Sequence, residues 1–509
     1  FFMLDNDGHS AIEKFAAPMP WDLRALPYAT LAWTAQLFGF GLPSFRIENL
    51  LLHWLVVVAL ALFVLSLYRM ALPRAEPDGE RTSMLMAVLV AVTLFALHPL
   101  AVYAAGYLVQ RSIVMATLFS VLALWAYLHG SNVRSKAWLW SSVAMYFLAT
   151  HSKEHVIMLP AIVVAMTVLV HEDWRTRLLR SWPIFTAFTA IALFTIAQRQ
   201  GVIGHFYEIN SAEMLEGISH ENAHWFSVLT QCWLFFKYGL LWLLPNPGWM
   251  SVDMREPLAQ GLFSVYGLAL LAYLAYGFVA IKLLIKRNKY GLIGFAMLFP
   301  WLMFMTEFST PRVQELFVLY RSYIWALGGV IVLPLLLMQL NARLTIMVSV
   351  LCAATLFMIS MERLASFSDP ILLWDDAEKL VRDRQSLPGV SRIYYNRGTE
   401  WLKVDKYDSA ITDLLTATRL NSRLSAAFGN LGASYLKTGQ NELAAQAFSR
   451  AIELDQEQKA RPNHKHYYGR AAAYEASGQR RQAAVDYKVS CLLNGKMGCD
   501  KAGRVDQLP

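Results

Sequence analysis

Near-continuous apolar runs fill the chain up to about residue 365, and short amphipathic segments replace them beyond it. Upstream there are roughly ten such runs, among them 50–67, 262–280 and 344–361. Each is long enough to cross a hydrocarbon core about 30 Å thick. A spanning segment must satisfy its backbone hydrogen bonds within itself, and no stretch alternates as a barrel strand does, so this part is predicted to be helical.

The downstream pattern repeats. Gly398 and Gly432 stand 34 residues apart, the period of tetratricopeptide repeats. Gly398, Ala410, Leu414 and Ala417 take the packing positions of one unit, and Leu431, Gly432, Tyr435, Ala444, Phe448 and Ala451 those of the next. Ala471, Tyr474, Ala483 and Tyr487 follow after an insertion at 456–464. Small residues let two helices of a hairpin approach, and aromatics fill the gap to the next hairpin, which builds a concave surface for a peptide or protein. The expected fold class is therefore all-α: a polytopic helical membrane domain over 1–365 with a first outer loop at 5–45, a linker helix at 366–390, about three repeats over 391–495, and a tail at 496–509.

Composition excludes a single soluble domain: of 509 residues 56% are hydrophobic and 16% charged, with a mean hydropathy of +0.37. The net charge of +8 does not point to nucleic acid, because the cations sit in short loops, where they report topology. Arg69, Arg74 and Arg81; Arg134 and Lys136; Arg175, Arg177 and Arg180; Lys282, Lys286, Arg287 and Lys289; and Arg343 mark five cytoplasmic loops. Alternation then places 5–46, 98–111, 151–155, 198–224 and 307–315 outside. A full crossing by 225–244 would put the cationic loop at 282–289 outside. That segment is therefore expected to be re-entrant or to lie along the outer interface, with 246–257 outside as well. The repeats share that side, which in an inner-membrane protein is the periplasm. Residues 1–4 read as the end of an apolar segment, as though a first span preceded them. Cys232 and Cys352 read as small buried hydrophobes, whereas Cys491 and Cys499 are either a disulfide or two free thiols.

Ionisable groups at the outer ends of spans are costly enough to be candidates for chemistry. Asp5 and Asp7 could serve as a general base or hold a divalent cation. His98 precedes Pro99, and Tyr107, Gln110 and Arg111 open the next span. His151, Lys153, Glu154 and His155 crowd one turn, a spacing that does not read as a metal set. Arg321, with Glu315, Tyr320 and Tyr323 nearby, suits a phosphate or pyrophosphate held bidentately. Asp253 and Lys237 complete the set.

The stretches Phe2-Met3-Leu4-Asp5-Asn6-Asp7, Arg24-Ala25-Leu26, Leu42-Pro43-Ser44-Phe45-Arg46-Ile47-Glu48-Asn49, Ala96-Leu97-His98-Pro99, Val109-Gln110-Arg111-Ser112, Ser152-Lys153-Glu154-His155 and Tyr320-Arg321-Ser322-Tyr323 carry a resemblance. In that order, and with the terminal repeats, the chain resembles bacterial relatives of the transmembrane and TPR-containing protein O-mannosyltransferases, within the GT-C class of lipid-sugar glycosyltransferases. It departs from them in having Asp5-Asn6 where adjacent acids are usual and Arg24-Ala25 where Arg-Pro is usual. The resemblance implies a catalytic carboxylate at Asp5, with Asp7 and Glu154 beside it. It places His98 and Lys153 in the same cavity, to which the motifs and outer-end groups above add Arg24, Gln110, Arg111, Asp253, Arg321 and Tyr323 as substrate-binding candidates, with any metal on Asp5 and Asp7. The expected activity is sugar transfer from a polyprenyl-phosphate donor to an outer-face acceptor, a protein Ser or Thr presented by the repeats. A glycolipid polymerase or ligase, or a non-enzymatic membrane-anchored scaffold, are the alternatives.

Overall fold

The computed structural model describes residues 23–72, 78–198, 220–312, 315–493 and 495–505. Asp5 and Asp7, and with them the expected metal ligands and the proposed end of a first span, lie outside these residues. Among the described residues the chain is all-α, with one isolated antiparallel bridge between Met254 and Phe317.

The membrane domain comprises α1 (Ala25–Phe38), α2 (Leu42–Ala71), α3 (Asp78–Ala96), α4 (Pro99–Ala105), α5 (Arg111–Val133), α6 (Lys136–Ser152), α7 (Leu159–Val170), α8 (Trp174–Arg180) and α9 (Trp182–Ala197). It continues with α10 (His220–Leu243), α11 (Val265–Lys286), α12 (Asn288–Phe304), α13 (Ser322–Trp325), α14 (Leu327–Leu337) and α15 (Ala342–Ser366). Six helices in the described residues are long and apolar enough to span, or nine if each sharply bent pair counts as one. The bend of 62° between α3 and α4 falls at His98-Pro99, where proline starts a helix but cannot continue one. Small residues bring the helices together: a Cβ on Gly294 would stand 2.3 Å from the backbone of Leu284, and one on Gly328 2.3 Å from the Ala296 oxygen. Polar groups on buried rings find carbonyls, Tyr68 donating to Ile331 at 2.7 Å and Tyr146 to Ile157 at 2.9 Å.

Loop residues distant in sequence meet in two groups. At one end Arg177 donates to the Ser131 oxygen at 2.7 Å, Ser131 meets His171 at 2.7 Å, and Arg287 reaches the Val168 oxygen at 3.1 Å. At the other, Arg24 donates its backbone N–H to His151 at 2.8 Å, Asn49 its side chain to Ala105 at 3.1 Å, and Arg363 to Met250 at 3.3 Å. The expectation of a re-entrant segment at 225–244 is corrected, because α10 is one unbroken helix. Its early residues His224 and Ser227 bond Phe308 and Arg312, and its late residue Trp242 bonds Ser322 and stacks on His98 at 4.2 Å. From end to end α10 therefore runs beside the 308–322 segment, and it is itself one of the six helices of spanning length.

After α16 (Pro370–Val381) come three hairpins: α17 (Val390–Lys403) with α18 (Tyr407–Leu420), α19 (Ser425–Lys437) with α20 (Asn441–Glu457), and α21 (His464–Ala476) with α22 (Arg480–Leu492). A final helix, α23 (Lys496–Val505), packs on α22, and the Cys491–Cys499 disulfide ties the two together, which decides between the two cysteine readings. A Cβ on Gly398 would stand 2.9 Å from Leu414, and one on Gly432 2.9 Å from Phe448, so both hairpins need their glycine. Cys232 is buried, and Cys352 is only half-buried on α15.

The array docks on the membrane domain through a left-handed glycine. Gly389 has φ +79°, and a Cβ there would lie 2.1 Å from Nη1 of buried Arg255, which Asp253 holds at 2.7 Å. Val252 packs into the first hairpin's core. Gly389→Ala should therefore cost about 1–3 kcal/mol and loosen the junction. Limited trypsin digestion should cut faster at Arg384 in this variant, and an unchanged rate would contradict the docking geometry.

Candidate functional site

Four stretches separated in sequence meet at the end of the bundle where the array docks. α6 ends at Ser152, and Lys153 turns inward in an extended conformation before a short 3-10 turn at Glu154–Val156. The Lys153 ammonium is 3% exposed; it donates to Oε1 of Gln110 at 2.7 Å and lies 4.5 Å from the centre of the Tyr320 ring. No carboxylate forms an ion pair with it among the described residues. Burial, reinforced by the Arg24 guanidinium and opposed by Glu154, pushes this ammonium well below its usual range.

Glu154 points the other way. Its carboxylate takes both Nη2 and Nε of Arg24, at 2.5 and 3.2 Å. Arg24 itself is at φ 61°, ahead of α1, so the pair clamps the first outer segment onto the end of α6. Tyr320 donates its hydroxyl to Glu315 at 3.1 Å, and Arg392 of the first repeat helix lies 3.9 Å from the same carboxylate and 3.7 Å from Asp253. Burial works to raise the Glu315 carboxyl, but Arg321 and Arg392 outweigh it and hold it below the ordinary range. The site is thus walled by the membrane domain and edged by the array.

Several expected ligands are committed elsewhere. Arg111 is fully buried: Nε donates to Asn49 at 2.7 Å, Nη1 pairs with Glu48 at 2.7 Å, and Nη2 reaches the Phe45 oxygen at 3.3 Å. Arg321, expected to grip phosphate, is 2% exposed and holds Glu307 at 2.9 Å and Glu315 at 3.1 Å. Tyr323 is fully buried and meets Nδ1 of His53 at 2.6 Å, while His98 caps α4 through the Leu100 N–H at 3.2 Å and stacks on Trp242. Asp253 is tied to Arg255, and Lys237 to Glu256 at 2.5 Å. The expected constellation therefore reduces, among the described residues, to Lys153, Gln110, Arg24 and Glu154, with Tyr320 and Glu315.

Sequence reasoning did not single out Glu307. This carboxylate is 1% exposed, collects Arg321, Arg312 at 3.3 Å and His155 at 3.2 Å, and anchors the segment that carries Tyr320. Its signal was an acid placed directly after the apolar run of α12. No group of three or more His, Cys, Asp or Glu among the described residues could hold a metal ion.

Residues 425–458, the second hairpin, match the tetratricopeptide repeat family. Among solved structures the chain is similar to MamA, at 22% identity over 27% of this chain and 76% of that one, with a TM-score of 0.23. No curated protein matches it. The second hairpin is thus a repeat of a family built for protein interaction, and the array is a helical scaffold of that type.

An anion reaching Lys153 favours its ammonium form and so opposes the lowering of its pKa, and binding should draw protons wherever the free lysine is partly deprotonated. Affinity for inorganic pyrophosphate should then fall as pH rises from the free lysine's lowered pKa toward the bound lysine's higher one, by up to about tenfold per unit, and level off above it. Titration calorimetry in two buffers of different ionisation enthalpy reads that uptake directly. Lys153→Met should abolish it.

Proposed function

We propose that the chain is a membrane glycosyltransferase moving a sugar from a polyprenyl-phosphate donor to a protein Ser or Thr on the outer side of an inner membrane. The observation that carries this reading is Lys153, a buried cation with no carboxylate ion-paired to it among the described residues, placed where the outer segments meet and beside the first repeat. A leaving phosphate supplies the missing countercharge, and a partly dry site strengthens that attraction beyond its value in water. The acceptor oxygen bonds to C1 of the sugar and the C1–O bond to phosphate breaks. The phosphate leaves with the electron pair, and the hydroxyl proton passes to a carboxylate. Glu154 is occupied by Arg24, so the base role falls to Asp5, which rests on the family resemblance.

The cationic loops gathered at the opposite end support the outer placement. The disulfide at the end of the array does so independently, since such bonds persist in oxidising compartments. The repeats deliver the acceptor. The match to a tetratricopeptide repeat also favours a second reading, a membrane-anchored scaffold without chemistry.

Full-length protein in proteoliposomes, given a panel of radiolabelled polyprenyl-phosphate hexoses and pentoses with Ser/Thr peptides, separates the two. The transferase reading expects peptide labelling that drops at least about 100-fold in Asp5→Asn and in Lys153→Met, equivalent to about 2.7 kcal/mol of transition-state stabilisation. Undiminished labelling in both variants, or none with any donor in the unaltered chain, contradicts it.

A further inference from the structure

We infer that an anionic phospholipid of the cytoplasmic leaflet seats one acyl chain in a slot between α3 and α15, with its phosphate beside Arg343. The inference is independent of whether sugar is transferred. Side-chain hydrogen bonds tie α15 to the bundle near both its ends: Thr345 donates to the Leu337 oxygen at 3.4 Å, and Ser360 to the Leu97 oxygen at 2.6 Å. Between these points the small side chains of Ser349 and Ala353 meet α3 across a cavity of about 400 Å3. α3 lines it from Thr82 through Met86 and Val90 to Leu94, one position per turn, and the wall is almost wholly apolar.

The dimensions of the slot select its occupant. Helix rising from Thr82 to Leu94 covers about 18 Å, close to the roughly 15 Å of half a hydrocarbon core. Spread over that length, the volume leaves a mean cross-section of about 22 Å2. A helix from a second copy, about 10 Å across, needs more than three times that area. A single file of methylenes, touching its neighbours at about 4 Å, fits. A polyprenyl chain carries a methyl branch on every isoprene unit and is wider.

Charge selects the leaflet. At Thr82 and Met86 the slot adjoins a smaller cavity of about 150 Å3, where Ser83 and Thr345 add hydroxyls to the wall. Arg343 stands in the same first turn of α15, exposed and with no ion pair among the described residues. Arg69 lies in the last turn of α2, in another of the loops whose cations read as cytoplasmic. Ester and phosphate oxygens at that level meet hydroxyls and a guanidinium, which favours an anionic headgroup over a zwitterionic one. The phosphate of a sugar donor would instead stand at the other end of the bundle, at Lys153.

Native mass spectrometry of the full-length chain in detergent, titrated with dioleoyl-phosphatidylglycerol, dioleoyl-phosphatidylcholine or undecaprenyl phosphate, tests this. The first phosphatidylglycerol should bind at least about tenfold tighter than phosphatidylcholine. Ala353→Phe, which fills the slot, should weaken that binding at least about tenfold and leave undecaprenyl phosphate unaffected. Arg343→Gln should bring phosphatidylglycerol down to the level of phosphatidylcholine. Leu351→Phe, on the exposed side of the same helix, should change neither, with thermal stability checked for each variant. Equal binding of the two phospholipids, or phosphatidylglycerol binding that survives Ala353→Phe, overturns the inference. So does undecaprenyl phosphate weakened more than phosphatidylglycerol by Ala353→Phe, which gives the slot to the donor chain, or a dimer lost in that variant, which gives it to a second copy.

Discussion

A charge withdrawn from water inside a helix bundle must find its opposite, and that requirement organises the end of the molecule where its separated motifs meet. Arg111 is matched by Glu48, Arg255 by Asp253, Arg321 by Glu307 and Glu315, and Arg24 by Glu154. Each pair joins two elements distant in sequence or fixes a loop, so the polar groups act as struts across an apolar interior. Lys153 breaks the pattern. It is as buried as its neighbours but leans on an amide and a ring face, interactions that stabilise an ammonium less than a carboxylate does. The same requirement that makes the other cations structural underlies the proposal that this one receives an incoming anion.

The membrane domain and the array share part of this network. Glu315 bonds Tyr320 and Arg321 and lies near Arg392, so the ring over which Lys153 sits is steadied by a carboxylate that also faces the first repeat. Arg255 and Val252 fasten the same junction from the loop after α10.

Much of this was legible in the sequence, and the reasons are physical. Spanning helices declare themselves by length and apolarity, loop cations by their sidedness, and the repeats by a period that small residues must keep. Gln110, Lys153 and Tyr320 each stood out separately in the sequence, and the fold brings them into contact. What sequence could not deliver was pairing. Arg111 and Arg321 have the chemistry of phosphate ligands, and only the fold reveals that Glu48, Glu307 and Glu315 already hold them. Charge alternation likewise placed both ends of 225–244 on one side but could not tell a re-entrant loop from the unbroken helix α10. The Arg–Asp pairs of the first and third hairpins, replaced by Leu431 and Ala447 in the second, were likewise invisible to a reading built on small and aromatic positions.

The central claim is that a phosphate-bearing lipid presents its headgroup at Lys153. Photo-crosslinking with a polyprenyl-phosphate analogue carrying a diazirine next to the phosphate, followed by peptide mapping, tests it most directly. The account predicts adducts on residues 107–110, 151–154 and 320, lost in Lys153→Met. Adducts confined to the opposite end, around 131, 171–177 and 287, would contradict it.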